Sequence, residues 1–171
     1  DDAGVRAAAK SLVEQGVEAI AICFLFSFVN PAHERRAREI IEAEYPDIFV
    51  TVSHEVDPAF REYERTVVTA FDAYVKPVIG RYLSRLEQGL TKSGVASPLQ
   101  VMQSRGGLMA SPIARRRPVR LFLSGPAAGV IGARIAGGTA GDTDLITVDI
   151  GGTSCDIALI SKGKALVRAD G

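Results

Sequence analysis

Leu145-Ile146-Thr147-Val148-Asp149-Ile150-Gly151-Gly152-Thr153-Ser154-Cys155-Asp156-Ile157-Ala158-Leu159-Ile160 is the stretch that decides the fold. Strand-forming runs over 145–148 and 157–160 flank a segment rich in glycine and hydroxyls, which predicts a β-hairpin with a carboxylate at each shoulder. Glycines without Cβ let backbone N–H groups approach an anion, and Thr153 and Ser154 add hydroxyl donors. Asp149 and Asp156 suit a hydrated Mg²⁺, because that hard cation prefers carboxylate and water oxygens. A plain tight turn with no ligand is the competing reading. The common nucleotide loops do not fit. No Gly-Lys-Ser/Thr occurs anywhere in the chain, and a dinucleotide fingerprint runs from strand to helix, whereas this loop runs from strand to strand.

A second glycine-rich element precedes the hairpin. Residues 119–123 read as a strand, after which Ser124-Gly125-Pro126-Ala127-Ala128-Gly129 opens a helix reaching about residue 136. The free N–H groups of a helix start attract phosphate or carboxylate, so Ser124 and Gly125 are candidate ligand contacts. The small residues serve equally for close packing of the helix on a sheet. Residues 137–142 read as a linker.

With these elements on the page, residues 147–156 resemble the second phosphate hairpin of the actin-like ATPase superfamily. Residues 55–65 (EVDPAFREYER), 101–108 (VMQSRGGL), 123–133 (LSGPAAGVIGA) and 18–34 (EAIAICFLFSFVNPAHE) are similar to one branch of it, the hydantoinase A/5-oxoprolinase family, which includes N-methylhydantoinase A. The resemblance implies an α/β, actin-like (ribonuclease H-like) fold with a mixed sheet, packed helices and a β-hairpin phosphate loop. It implies ATP and Mg²⁺ as cofactors, a cyclic amide such as a hydantoin or 5-oxoproline as substrate, and a second hydantoinase-type subunit as partner. On this reading Gly151, Gly152, Thr153 and Ser154 bind the phosphates, with Ser124 and Gly125 assisting. Asp149 and Asp156 are the catalytic carboxylates, and Asp149 is the metal ligand. Cys155 departs from the family's usual threonine. Other functions open on the same fold are a non-catalytic nucleotide-binding scaffold, an acetone carboxylase-like subunit and a sugar-kinase-like phosphotransferase.

The resemblance also suggests boundaries. Residues 1–65 correspond to the end of the family's N-terminal region, 66–141 to a helical and α/β segment at the start of the hydantoinase A domain, and 142–171 to the start of the second lobe. A two-lobed fold of this kind uses two phosphate hairpins and the chain has one, so it reads as an interior piece of a longer protein.

Composition is consistent with this picture. Of 171 residues 47% are apolar, enough for a sizeable core. The longest apolar run, 19–28, is too short to span a bilayer, and no signal peptide is evident, which leaves a cytoplasmic protein without a membrane partner as the expectation. The formal net charge is zero. Arginines crowd residues 105–134, but no aromatic residues alternate with them to stack bases, and nucleic acid is not expected as a partner.

The rest of the pattern is α/β. Residues 3–15 are helical with Gly16 as C-cap, and 19–25 form a strand with Ile20, Ile22 and Phe24 buried. Asn30 and Pro31 open a second helix that ends at Pro46, and 49–53 form a second strand. Residues 54–63 read as a loop. A long amphipathic helix follows over 66–90, with Val67, Phe71, Tyr74, Val78, Tyr82, Leu86 and Leu90 as its core face and Pro77 kinking or dividing it.

Overall fold

The computed structural model describes residues 1–166. The fold is α/β, and among the described residues the strands form three small sheets, one parallel and two antiparallel. The chain divides into two compact units. Of the described residues, the first comprises 1–99 and 111–119, the second 100–110 and those from 120 onward.

In the first unit, helix α1 (Asp2–Glu14), strand β1 (Ala19–Ile22), helix α2 (Ala32–Glu44) and strand β2 (Phe49–Val52) alternate as the pattern predicts. The Asp1 carboxylate caps α1 by accepting from the N–H groups of Ala3 and Gly4. Gly16 sits at φ 80°, a conformation that favours glycine, just past the end of α1. β1 and β2 pair in parallel, from Ala19 with Phe49 to Ile22 with Val52. Ala9, Ile20, Ile22, Ala37, Ile41 and Val52 make the core. β1 ends at Ile22, and Phe24, expected inside, is 39% exposed. The reason is Glu34 of α2, whose carboxylate draws the Phe24 N–H out of the strand at 2.9 Å.

Residues 57–61 form the expected loop, but its start is taken up by one helical turn, α3 (Ser53–Val56). Helix α4 (Glu62–Lys92) then runs unbroken through Pro77. It also faces the opposite way from the expectation. The stripe Phe71, Tyr74, Val78, Tyr82 lies outward, with Tyr74 79% exposed, while Arg65, Thr69, Asp72, Lys76 and Leu83 face inward. Half of the buried residues of α4 are polar, and apart from Arg65 Nε the surroundings supply partners for their side chains. Lys76 Nζ donates to the Val50 carbonyl (3.1 Å) and to Thr51 Oγ1 (2.7 Å). Thr51 Oγ1 in turn donates to Asp72 (3.1 Å), whose other oxygen accepts from the Val119 N–H. Arg65 donates to the carbonyls of Ala59 and Phe24 and lies over the Phe28 ring. Buried polar groups tolerate burial when paired in this way. Helix α5 (Ser111–Arg116) completes the unit.

The second unit holds strands β3 (Gln100–Met102) and β4 (Leu108–Ala110), helix α6 (Ser124–Ala140), and strands β5 (Leu145–Ile150), β6 (Cys155–Ser161) and β7 (Lys164–Ala165). The expected strand at 119–123 is instead a 3-10 turn, Pro118–Leu121. Leu123 adopts φ 54° at the start of α6, a left-handed conformation costing a non-glycine residue about 1–2 kcal/mol. Of the residues expected as a linker, 137–140 belong to α6, which is capped by Gly141 at φ 91° and followed by irregular chain to β5. Gly137 makes the close approach there, since a Cβ on it would lie 2.5 Å from Leu145 Cδ1.

Candidate functional site

The hairpin forms as the sequence predicts. β5 and β6 pair antiparallel, with Asp149 directly opposite Asp156 and Ile150 opposite Cys155. Side chains of directly opposed residues share a face, so both carboxylates project from the same side of the sheet. That side also carries Thr147 and Leu145, the latter against Gly137 of α6. At the other end of the helix, a Cβ on Gly129 would stand 3.8 Å from Asp149 Oδ2. Asp156 is oriented by Ser154, whose hydroxyl donates to Oδ2 at 3.2 Å.

Between α6 and this face lies a cleft of about 750 Å³. Asp149 and Asp156 line it together with Gly129, Leu123 and Ser104. Gly151, Gly152, Thr153 and Ser154 form the adjoining hairpin tip and do not line the cleft. Ser124 and Gly125 open α6, one turn before the cleft-lining Gly129, and do not line it either. Ser104, Leu123 and Gly129 were missing from the sequence-derived set.

The hairpin glycines have no structural explanation within the fold. The tip closes through the Gly151 N–H, which donates to the Ser154 carbonyl at 3.0 Å. Neither Gly151 nor Gly152 has a positive φ. A Cβ on Gly152 would meet nothing within 4 Å, and one on Gly151 only the Ser154 carbonyl oxygen at 4.0 Å. Conformation and packing would therefore admit a side chain at either position. An external group brought close to the backbone would not.

The donor set also fits a hard, hydrated cation. Two carboxylates stand at opposed positions on one face of the hairpin, and among the described residues no group of three or more His, Cys, Asp and Glu is arranged to hold a metal. Mg²⁺ commonly binds through one or two carboxylates and keeps several waters, whereas zinc would need more protein ligands. No helix of the described residues is long and apolar enough to cross a membrane.

Two other reactive side chains, Glu34 and Cys23, lie apart from the cleft lining. The buried Glu34 carboxylate accepts from Ser53 Oγ (2.6 Å), His54 Nδ1 (2.7 Å), and the N–H groups of His54 (3.0 Å) and Phe24 (2.9 Å). Burial pushes its pKa up, but these hydrogen bonds outweigh that and hold it below the usual carboxylate range. The Cys23 thiol is shifted upward by burial, the direction that makes a thiol less reactive.

The fold and the cleft define an α/β protein with a two-carboxylate cleft beside a glycine-tipped hairpin. Comparison with known families makes this specific: the hydantoinase/oxoprolinase profile matches residues 65–171, and the profile of the family's N-terminal region matches residues 1–45. The chain belongs to the hydantoinase/oxoprolinase family. It is 42% identical to caprolactamase subunit alpha of Pseudomonas jessenii over 170 residues, covering 99% of this chain and 24% of that protein. The crystal structure of the ATP-dependent caprolactamase from that organism superposes with a TM-score of 0.83 at 42% identity, over 93% of this chain and 23% of that one. A nucleotide-free acetone carboxylase structure gives a TM-score of 0.79 at 34% identity, over 94% and 23%. The 5-oxoprolinase of Saccharomyces cerevisiae is 36% identical over 165 residues, covering 96% of this chain and 12% of that protein. The chain thus spans about a quarter or less of the length of these relatives.

Proposed function

We propose that this chain is part of an ATP-dependent hydrolase of cyclic amides, and that its second unit supplies one phosphate hairpin of an actin-like nucleotide site. The observation that carries the proposal is the pair Gly151 and Gly152, which nothing inside the fold requires, beside the opposed Asp149 and Asp156. The caprolactamase and 5-oxoprolinase relatives support it. The division at about residue 65, separating the end of an N-terminal region from a hydantoinase A domain, belongs to the same proposal and is supported by the two profile matches.

ATP, when bound, supplies the phosphoryl group that makes an amide carbon electrophilic enough for water. The chain's own contribution is positioning and charge balance. The exposed backbone at Gly151 and Gly152 would let phosphate oxygens approach, and the Thr153 hydroxyl would donate to them; the Ser154 hydroxyl, whose proton goes to Asp156, would have to turn from that carboxylate to do the same. Ser124 and Gly125 offer the unpaired N–H groups of the first turn of α6 to the same end. Asp149 would hold Mg²⁺ or its waters, with Asp156, fixed by Ser154, in the same task. A separate hydantoinase-type subunit completes the enzyme, in keeping with the relative named as a subunit alpha.

The test is nucleotide hydrolysis by full-length protein carrying this segment, with a lactam or 5-oxoproline as substrate. Ring-opened product and inorganic phosphate are expected, and Asp149→Asn abolishes both. A stable phosphorylated substrate would sink ring opening in favour of a kinase. Carboxylation of a ketone is the second reading, favoured by the acetone carboxylase superposition. Bicarbonate-dependent consumption of a ketone would establish it.

A further inference from the structure

The motif over 101–108 has no role in the account above, yet the structure brings it to the cleft. Gln103-Ser104-Arg105-Gly106-Gly107 forms the turn joining β3 to β4. The Gly106 N–H donates to the Gln103 carbonyl and the Gln103 N–H to the Gly107 carbonyl, both at 3.0 Å. Gly106 and Gly107 take φ of 79° and 81°, and a Cβ on Gly106 would come within 3.1 Å of Ile131 Cδ1 on α6. The turn is therefore seated on α6, the helix that forms one wall of the cleft.

That seating fixes Ser104. Its N–H donates to the Arg120 carbonyl at 2.8 Å and its hydroxyl donates to the same oxygen at 3.0 Å. A serine hydroxyl has one proton and two lone pairs. With the proton committed to Arg120, the oxygen has only lone pairs to offer the cleft, where Asp149 and Asp156 also stand. All three groups are hydrogen-bond acceptors. Such a set repels bare phosphate oxygens and attracts a donor.

We infer that Ser104 is a further ligand-positioning residue of this cleft, accepting a hydrogen bond from a donor held beside Asp149. The inference rests on the nucleotide reading of the cleft. The donor chemistry is O–H or N–H, and it has two sources: a water carried by the divalent cation, or a hydroxyl or amino group of the nucleotide.

Equilibrium binding of ATP to full-length protein carrying this segment separates them, measured by calorimetry with Mg²⁺ and again with EDTA. The variants are Ser104→Ala, Ser104→Thr and Asp149→Asn, each checked by thermal melting. Losing one such hydrogen bond weakens binding by about two- to twelve-fold. Ser104→Ala is expected to weaken binding by that factor, and Ser104→Thr, which keeps the hydroxyl, to restore it. Weakening only with Mg²⁺ assigns the donor to metal-bound water, and equal weakening with EDTA assigns it to the nucleotide. Unchanged binding in Ser104→Ala, with Asp149→Asn impaired, overturns the role of Ser104 and leaves the nucleotide cleft standing. If neither variant alters binding, the cleft is not the nucleotide site and both readings fail.

Discussion

Glu34 and His54 form a buried pair in which one carboxylate oxygen accepts from both the backbone N–H and Nδ1 of the same histidine, at 3.0 and 2.7 Å. The other oxygen holds Ser53 and Phe24. One side chain on α2 thereby ties the end of β1 to the start of α3. Replacing it by glutamine puts an NH₂ where a donor already stands. Glu34→Gln is expected to lower stability by about 3 kcal/mol, measured by urea unfolding at pH 7.

The same pair sets an acid limit. The folded pKa of Glu34 is depressed, so its contribution is fully present above the unfolded value of about 4.3 and is lost as pH falls through the folded value. Urea midpoints of the wild type should therefore decline below about pH 4. In Glu34→Gln the decline should be shallower, and an equally steep slope would show that other carboxylates dominate.

Asp149 and Asp156 oppose each other across a strand pair, an arrangement that destabilises by up to about 1 kcal/mol when both are charged and no cation intervenes. Asp149→Asn is expected to raise the melting temperature in EDTA while abolishing nucleotide turnover. Millimolar Mg²⁺ should narrow the stability gap by stabilising only the wild type. A variant that melts lower in EDTA would remove the strain argument.

Leu123 is held at φ 54° and is 71% exposed, so its side chain gains little from its position. Leu123→Gly is expected to stabilise by about 1 kcal/mol, seen as a shift in the denaturant midpoint. Leu123→Ala, which keeps a Cβ, should not.

The outward stripe of α4 gives the sharpest contrast between pattern and structure. Tyr74→Ser and Val78→Ser should each change stability by less than about 0.5 kcal/mol, since both side chains lie largely in solvent. Lys76→Met, on the inward face, leaves Asp72 buried without its cation 3.4 Å away and should cost about 3 kcal/mol. A core reading of the stripe requires the reverse order.

That contrast shows what sequence pattern carries. Periodicity identified α4 as a helix and located its apolar face correctly. It does not say which face turns inward, because that depends on what the neighbouring elements offer, here Thr51 and the Val50 carbonyl for Lys76. Short runs of strand-forming residues between turn signals marked β1, β2 and the β5–β6 hairpin. Residues 119–123 misled because a short apolar run can be carried by a 3-10 turn when the following helix begins at once. Asp149 and Asp156 were legible as a pair because a two-residue period puts them at mirrored positions of one hairpin. Ser104 was not, since more than 40 residues of sequence separate it from Asp149 and the seating of Gly106 on Ile131 brings it to the wall of the same cleft. The glycine pair 106–107 was the available signal.

The reverse face of the hairpin carries Ile146, Val148, Ile150, Ile157 and Leu159, all exposed among the described residues. For anyone preparing this chain by itself, colloidal behaviour becomes the governing variable ahead of melting temperature. Twenty acidic and twenty basic residues leave no net charge to keep copies apart near neutral pH. Concentration, ionic strength and distance from the isoelectric point of about 6.9 will decide whether a preparation stays dispersed long enough to be measured.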